Sequence, residues 1–477
     1  MACAAPTGPG PEAADITKAD PLKADTSAEA LFLDFKFSGE LITDSSWNPE
    51  KQIEDQLLYT VGQLNGDNSI GRLDSVQLSN VVVGETPDGR VHLTYNAVMP
   101  VAWGDRDNIP ANYEFQLPLD VSSGGQEAFT EKYSHSCVDY GAHDVTAGIY
   151  WYYYRPAQRN CHLEAEDLVV TIADIGPSPI QTTGMFPEYD KVWEDDAFKI
   201  VAIFGKYEDD ATSSSDAGIR AYNRFLEEVA KELRTLEVVT EPADVPRNPG
   251  VEAPEVTFSA TRADGTTIEV VAILVDNVRT AGPEFNQRYA ELTPEADLII
   301  YNGHAGLGAN IRALARKGEW RTGQYSIVFM NGCDTYAYVD DALYTAHAAV
   351  NSDDPEGSKY VDIVMNAMPA LFREMPAATM ALIRGLADDQ NPHTYEQIFA
   401  DISDYQVVLV SGEHDNTFVP GGGDPDEPPP GGLGGHGRGR ARRSQRRASL
   451  RDAAARRGQL PLRDDRVRRR RPLRAHR

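Results

Sequence analysis

The chain has 477 residues, 41% of them hydrophobic, which is enough for two or three domains with cores of their own. No uninterrupted apolar run approaches the ~20 residues that a membrane-spanning helix needs. Its net charge of −28 averages two unlike regions: residues 431–477 hold 17 Arg, 3 Asp and no Lys, while the other 430 carry 28 basic and 70 acidic side chains. So acidic a body repels nucleic acid and anionic membranes through its long-range field, and it accepts cationic substrates.

Residues 1–28 are small, Pro-rich and polar, and read as a tether. Met1-Ala2-Cys3 resembles the end of a bacterial lipoprotein signal, in which a small residue precedes the Cys that is lipidated. The apolar stretch that should precede that Cys is missing from the sequence. On this reading Cys3 carries a lipid anchor, and the protein is exported to the periplasm, the outer membrane or the cell surface. The plainer reading is a disordered N-terminus with an incidental Cys.

Residues 29–178 read mainly as β. LFLDFKFSGEL (31–41), SVQLSNVVVG (75–84), RVHLTYNAVMPVAW (90–103) and NYEFQLPLD (112–120) alternate apolar and polar residues, and TPDG (86–89) separates two of them as a hairpin requires. One helical stretch, PEKQIEDQLLYTVGQL (49–64), interrupts them. Cys137 and Cys161 flank GIYWYYYRP (148–156), which reads as a strand. In an oxidising compartment they pair and close a loop worth roughly 3 kcal/mol. The alternative is two reduced, buried thiols. His135, His143 and His162 lie near them, but their spacing matches no zinc pattern.

From about 190 the pattern becomes α/β. FKIVAIFGKYE (198–208) and TTIEVVAILVDN (266–277) are strands. The helix DAGIRAYNRFLEEVAKEL (216–233), capped by Ser215 or Asp216, puts Ile219, Tyr222, Phe225, Leu226, Val229 and Leu233 on one face. A Pro-rich loop (241–255) and helices over 282–293, 308–318, about 336–350 and 370–386 follow, with a last strand at 405–412. Alternation of this kind predicts a mostly parallel sheet flanked by helices over 190–420.

Two runs in this part end alike: ADLIIYNGH (296–304) and YSIVFMNGC (325–333). Open α/β sheets place their chemistry at the carboxyl ends of such strands. Cys333 is the candidate nucleophile and His304 its general base and acid. The backbone N–H groups of Ala305, Gly306 and Cys333 are candidates for the oxyanion hole. If Cys137 pairs with Cys161 and Cys3 is lipidated, Cys333 is the odd thiol left over.

At LIIYNGHAG and IVFMNGC the sequence resembles the clan of cysteine peptidases that includes caspases, gingipains, clostripain, legumain and separase. There an apolar strand ends in a His followed by Gly, and the next core strand ends in a small residue and the catalytic Cys. The resemblance covers 190–420 and implies a caspase-like α/β fold preceded by the β-rich domain. It also implies a His-Cys dyad, a protein or peptide substrate and cleavage after a charged residue. It departs at Ala305, where the clan has Gly. Asp276, Asp334, Asp340 and Asp341 are candidates for the residue that sets the preference, and the acidic body favours Arg or Lys as the residue cleaved after.

The competing function is a non-catalytic exported surface or interaction lipoprotein with a degenerate peptidase-like domain. No cofactor is expected, with NSDDPEGS (351–358) as a Ca²⁺ loop or, alternatively, a solvated one. GEHDN (412–416) takes no role. The 29–178 domain reads as a pro-domain, an inhibitor or a partner-binding module, and nothing in the sequence sets the oligomeric state. Residues 421–477, Gly/Pro-rich and then Arg-rich, fit a basic arm, a disordered tail, or a shifted reading frame in a GC-rich gene, since arginine without lysine is what high-GC codons give out of frame.

Overall fold

A computed structural model of the chain describes residues 14–17, 24–142, 145–403, 405–412, 416 and 418–421. Cys3, His143, most of the GEHDN segment and the Arg-rich residues lie outside these. The described residues cluster as one compact unit.

Its first half carries β1 (Ala14–Thr17), β2 (Ala24–Ser27), β3 (Leu31–Thr43), α1 (Pro49–Asn65) and β4 (Ser69–Gly71). There follow β5 (Gln77–Glu85), β6 (Val91–Trp103), β7 (Asn112–Pro118), α2 (Ser123–Tyr133), α3 (Tyr150–Tyr153) and β8 (Leu168–Pro177). Here β1, β5, β6, β3, β8 and β7 form an antiparallel sheet in that order, with β4 beside β6. It makes a half-barrel against α1. Alternate residues of β3 (Phe35, Phe37, Leu41) and of β6 (Leu93, Tyr95, Ala97, Met99) are buried, as strand periodicity demands. They pack with Ile53, Leu57 and Leu64 of α1 in one core.

The second half begins with α4 (Tyr189–Val192), β9 (Ala197–Gly205), α5 (Ala217–Leu233), β10 (Glu237–Glu241), β11 (Glu255–Thr261), β12 (Thr267–Val275) and α6 (Pro283–Leu292). It continues with β13 (Leu298–Asn302), α7 (Ala309–Lys317), β14 (Ser326–Asn331), α8 (Ala342–Val350), β15 (Val361–Asn366), α9 (Met375–Ala387), α10 (Tyr395–Phe399) and β16 (Val408–Gly412). These strands and β2 make a nine-stranded sheet, β10-β11-β12-β9-β13-β14-β15-β16-β2. Its centre, β12 through β15, is parallel. Both faces are covered, which is why these strands are continuous apolar runs. Ile300 and Phe329 pack in one core with α5, α9 and α10, and Ile299 and Val328 in the other with α7 and α8. Asp216 caps α5, its carboxylate accepting from Ile219 N at 2.9 Å.

Three expectations change. Residues 1–28 are not all tether: β1 pairs antiparallel with β5 in the half-barrel, and β2 pairs antiparallel with β16 and completes the α/β sheet. The two halves are therefore not successive, independent domains. The run 148–156 is not a strand: its centre is the single helical turn α3, packed on α1 where a Cβ on Gly62 would collide with the Trp151 carbonyl. The helix expected from 336 starts at Ala342, after a short 3₁₀ turn, Thr335–Ala337.

Candidate functional site

Parallel pairing in register sets Asn302 beside Asn331 and brings the two following turns together. Gly303 N donates to Asn331 O at 3.3 Å. A Cβ on Gly332 would lie 2.9 Å from Gly303 O and 3.2 Å from Ala305 N, so only glycine lets the His-bearing and Cys-bearing turns approach this closely.

His304 is exposed, with its ring between Tyr207 and Phe372, each 5.1 Å away between centroids. Its Nε2 lies 3.1 Å from the Tyr207 carbonyl oxygen. A carbonyl only accepts, so Nε2 carries the hydrogen and Nδ1 keeps its lone pair as a base. The His304 carbonyl is fixed in turn by Asn310 Nδ2 at 2.6 Å and Tyr301 OH at 2.8 Å.

After the His the backbone takes an uncommon path. Gly306 (φ 59°), Leu307 (φ 50°) and Gly308 (φ 85°) are all left-handed and lead into the N-terminus of α7. For leucine this conformation is strained by about 1–2 kcal/mol. Successive turns of this kind aim N–H groups into a concavity that suits an anion. Among the described residues, the N–H groups of Ala305, Gly306 and Cys333 have no hydrogen-bond acceptor on another residue. Ala305 is buried against the Gly332 turn.

Cys333 is half-buried and its Sγ lies 3.6 Å from the Ala370 carbonyl oxygen. Burial, and then the Asp334 carboxylate beside it, push the thiol up to about 12. It is therefore a protonated thiol at neutral pH. Asp334 is itself buried and left-handed (φ 53°), and burial raises its carboxyl to about 6. Tyr152 of α3 donates to Asp334 Oδ2 at 2.7 Å, so the half-barrel reaches the residue next to the thiol. The fold thus brings the His and Cys turns together, but among the described residues the two side chains bond to Tyr207 and Ala370 and not to each other.

Cys137 and Cys161 form a disulfide. The Cys137 carbonyl accepts from Tyr150 OH and from Arg155 N, both at 3.1 Å, so the bridge anchors the turn that presents Tyr152. Neither sulfur is free for a metal, and His135 and His162 are exposed. In 351–358, Asp354 accepts from Gly357 N and Lys359 N, and Asp353 from Lys359 Nζ and Tyr360 OH. These carboxylates are already used by the chain's own donors.

Of the four acidic candidates for substrate preference, Asp334 is sealed beneath Tyr152. Asp276 pairs with Lys206 at 2.6 Å, Asp340 lies 3.9 Å from Arg312, and Asp341 is exposed at the start of α8. An open depression of about 630 Å³ beside Tyr207 is lined by both signs of charge, including Glu208, Asp210, Asp216 and Arg220. Tyr152, Tyr207 and Phe372 were not visible as site residues in the sequence, since each arrives from another segment by tertiary packing. Comparison with known family models, curated proteins and solved structures returns no match.

Proposed function

We propose that this protein is a cysteine endopeptidase with a His304–Cys333 dyad, related in mechanism to the caspase-like clan. The observation that carries the reading is the juxtaposition of the two turns. A histidine whose Nδ1 is left free by the Tyr207 carbonyl follows the strand next to the one that the cysteine follows, and the backbone N–H groups of Ala305, Gly306 and Cys333 have no acceptor on another described residue. In the reaction the Cys333 proton passes to His304 Nδ1 as sulfur attacks the scissile carbonyl carbon. The oxyanion is held by the N–H groups of Ala305 or Gly306 and Cys333. Collapse breaks the C–N bond, and the amine leaves with the proton from His304. Water, deprotonated by His304, then hydrolyses the thioester and restores the thiol.

The raised thiol argues for proton transfer concerted with substrate binding, not for a standing thiolate–imidazolium pair. The depression beside Tyr207 gives room for an extended peptide. Export is part of the proposal and is supported by the Cys137–Cys161 bridge, which persists in oxidising compartments.

The second reading, a non-catalytic exported binding protein, is favoured by one observation. Tyr152 of the half-barrel bonds the residue next to the thiol, and burial raises the thiol to about 12, which keeps it in the protonated, unreactive form. Labelling with a thiol-reactive peptidyl probe separates the two. Labelling of the wild type that is lost in Cys333→Ala and strongly reduced in His304→Ala supports the dyad. Labelling that ignores both substitutions refutes it.

A further inference from the structure

The glycines of the two matching tripeptides are explained by close approach, and the His and Cys by chemistry. Their asparagines are not. Asn302 and Asn331 stand on the same rung of the parallel sheet, and a third, Asn366, ends the next strand, β15, one residue beyond Met365, which pairs with Met330. All three are fully buried. Asn331 Nδ2 donates to Asn302 Oδ1 at 2.8 Å, and Asn366 Nδ2 donates to Asn331 Oδ1 at 3.0 Å. Thr379 Oγ1 closes one end on Asn302 Oδ1 at 2.9 Å, and Gln406 Nε2 reaches Asn331 Oδ1 at 2.9 Å.

A ladder of amides across three interior strands is costly to bury, and apolar side chains would serve the core at least as well. What distinguishes the ladder is its last bond. Asn366 Nδ2 also donates to the Gly332 carbonyl, at 3.0 Å. That carbonyl and the Cys333 N–H belong to one planar trans peptide and point in opposite directions. Holding Gly332 O in the ladder turns the Cys333 N–H away from the core. There it finds no acceptor on another described residue.

We propose that Asn366 is a positioning residue: by anchoring the Gly332 carbonyl it aims the Cys333 backbone N–H at the oxyanion, with the Asn302–Asn331 amides as its brace. The inference rests on the cysteine-peptidase reading and assigns the asparagines of the NGH and NGC turns a part in it. A preorganised donor is worth its full effect only when it already points at the developing charge.

The test compares two reagents on the full chain. An N-acetylated amino-acid p-nitrophenyl ester acylates Cys333 through a tetrahedral oxyanion, whereas iodoacetamide alkylates the same sulfur without one. In Asn366→Ala, and in the isosteric Asn366→Asp, acylation should slow by about 10- to 100-fold, the range expected for a misaimed donor. Alkylation should stay within about twofold of wild type if the donor alone is affected. Thr379→Val, which removes a ladder bond remote from Gly332, should leave the ratio of the two rates unchanged. Circular dichroism of both Asn366 variants identifies one that fails to fold, and the folded variant decides.

Equal acylation in a folded Asn366 variant and wild type overturns the proposal, as does a parallel fall in both rates. Wild-type acylation no faster than that of Cys333→Ala overturns instead the peptidase reading beneath it.

Discussion

The hydroxyl of Tyr152 donates to Asp334 Oδ2 across 182 residues of sequence, tying the half-barrel to the residue that follows the candidate nucleophile. Tyr152→Phe keeps the ring and deletes the donor. Leaving a buried carboxylate short of one hydrogen bond costs about 1–3 kcal/mol. We expect a lower urea midpoint with an unchanged far-ultraviolet spectrum. An unchanged midpoint would show that the bond contributes nothing to holding the two halves together.

The same corner sets the behaviour of the thiol. With Cys333 pushed up to about 12, its alkylation at pH 7 should be slow and should rise steadily through pH 10 with no plateau below. Iodoacetamide labelling in a Cys3→Ser background, read by mass spectrometry of the Cys333 peptide, checks this. A plateau near pH 7 would reveal a thiolate already stabilised in the free protein.

His347 supplies a separate pH dependence. It is buried beside Trp320, at 4.6 Å between ring centroids, and neither ring nitrogen has a partner among the described residues. Burial lowers it from 6.5 to about 4. The unfolded chain takes up the proton first, so the stability this neutral ring contributes is present above pH 6.5 and is lost as pH falls toward 4. His347→Phe should flatten that limb, by an amount on the order of a few kcal/mol at its acid end. Melting temperatures of both proteins between pH 7.5 and 4.5, in steps of about half a unit, should converge at the acid end relative to their separation near neutrality. Parallel curves would count against the assignment.

A buried ion cluster joins the halves elsewhere. Arg72 Nη1 donates to Ser411 Oγ at 2.7 Å and faces Asp25 Oδ2 at 3.5 Å, while Tyr336 OH donates to Asp25 Oδ2 at 2.8 Å. Arg72 Nε also pairs with Asp74 Oδ1 at 3.0 Å, so Asp25→Ala removes one of the two carboxylates facing the buried guanidinium and should cost about 1–3 kcal/mol. Arg72→Met with Asp25→Asn, which removes both charges, should recover much of it. Denaturant titration of the single and double variants measures the coupling, and additive losses would argue that the pair does not act as a unit.

Much of the frame is legible in the sequence because it is written in local periodicity. The alternation in 31–41 and 90–103 gives β3 and β6, and the apolar stripe from Ile219 to Leu233 gives α5. The NGH and NGC endings locate two neighbouring turns. The aromatic run at 150–154 is illegible because a short, wholly apolar stretch has no period to separate strand from helix. β15, α2 and the β10–β11 hairpin also escape the reading. Tyr207, Phe372 and Asn366 take their roles from neighbours that only the sheet order supplies. Nothing within a few residues of them marks those contacts.

Ser27 Oγ donates to the Val408 carbonyl at 2.7 Å, a contact spanning 381 residues, within the pairing of β2 with β16. During synthesis β2 emerges long before its partner. The half-barrel can assemble as it leaves the ribosome, but the large sheet cannot lay its final rung until the whole α/β part exists. Contacts so distant in sequence slow folding, and β2 has no strand edge to pair with in the interval. Closing the large sheet thus depends on a pairing between segments 381 residues apart.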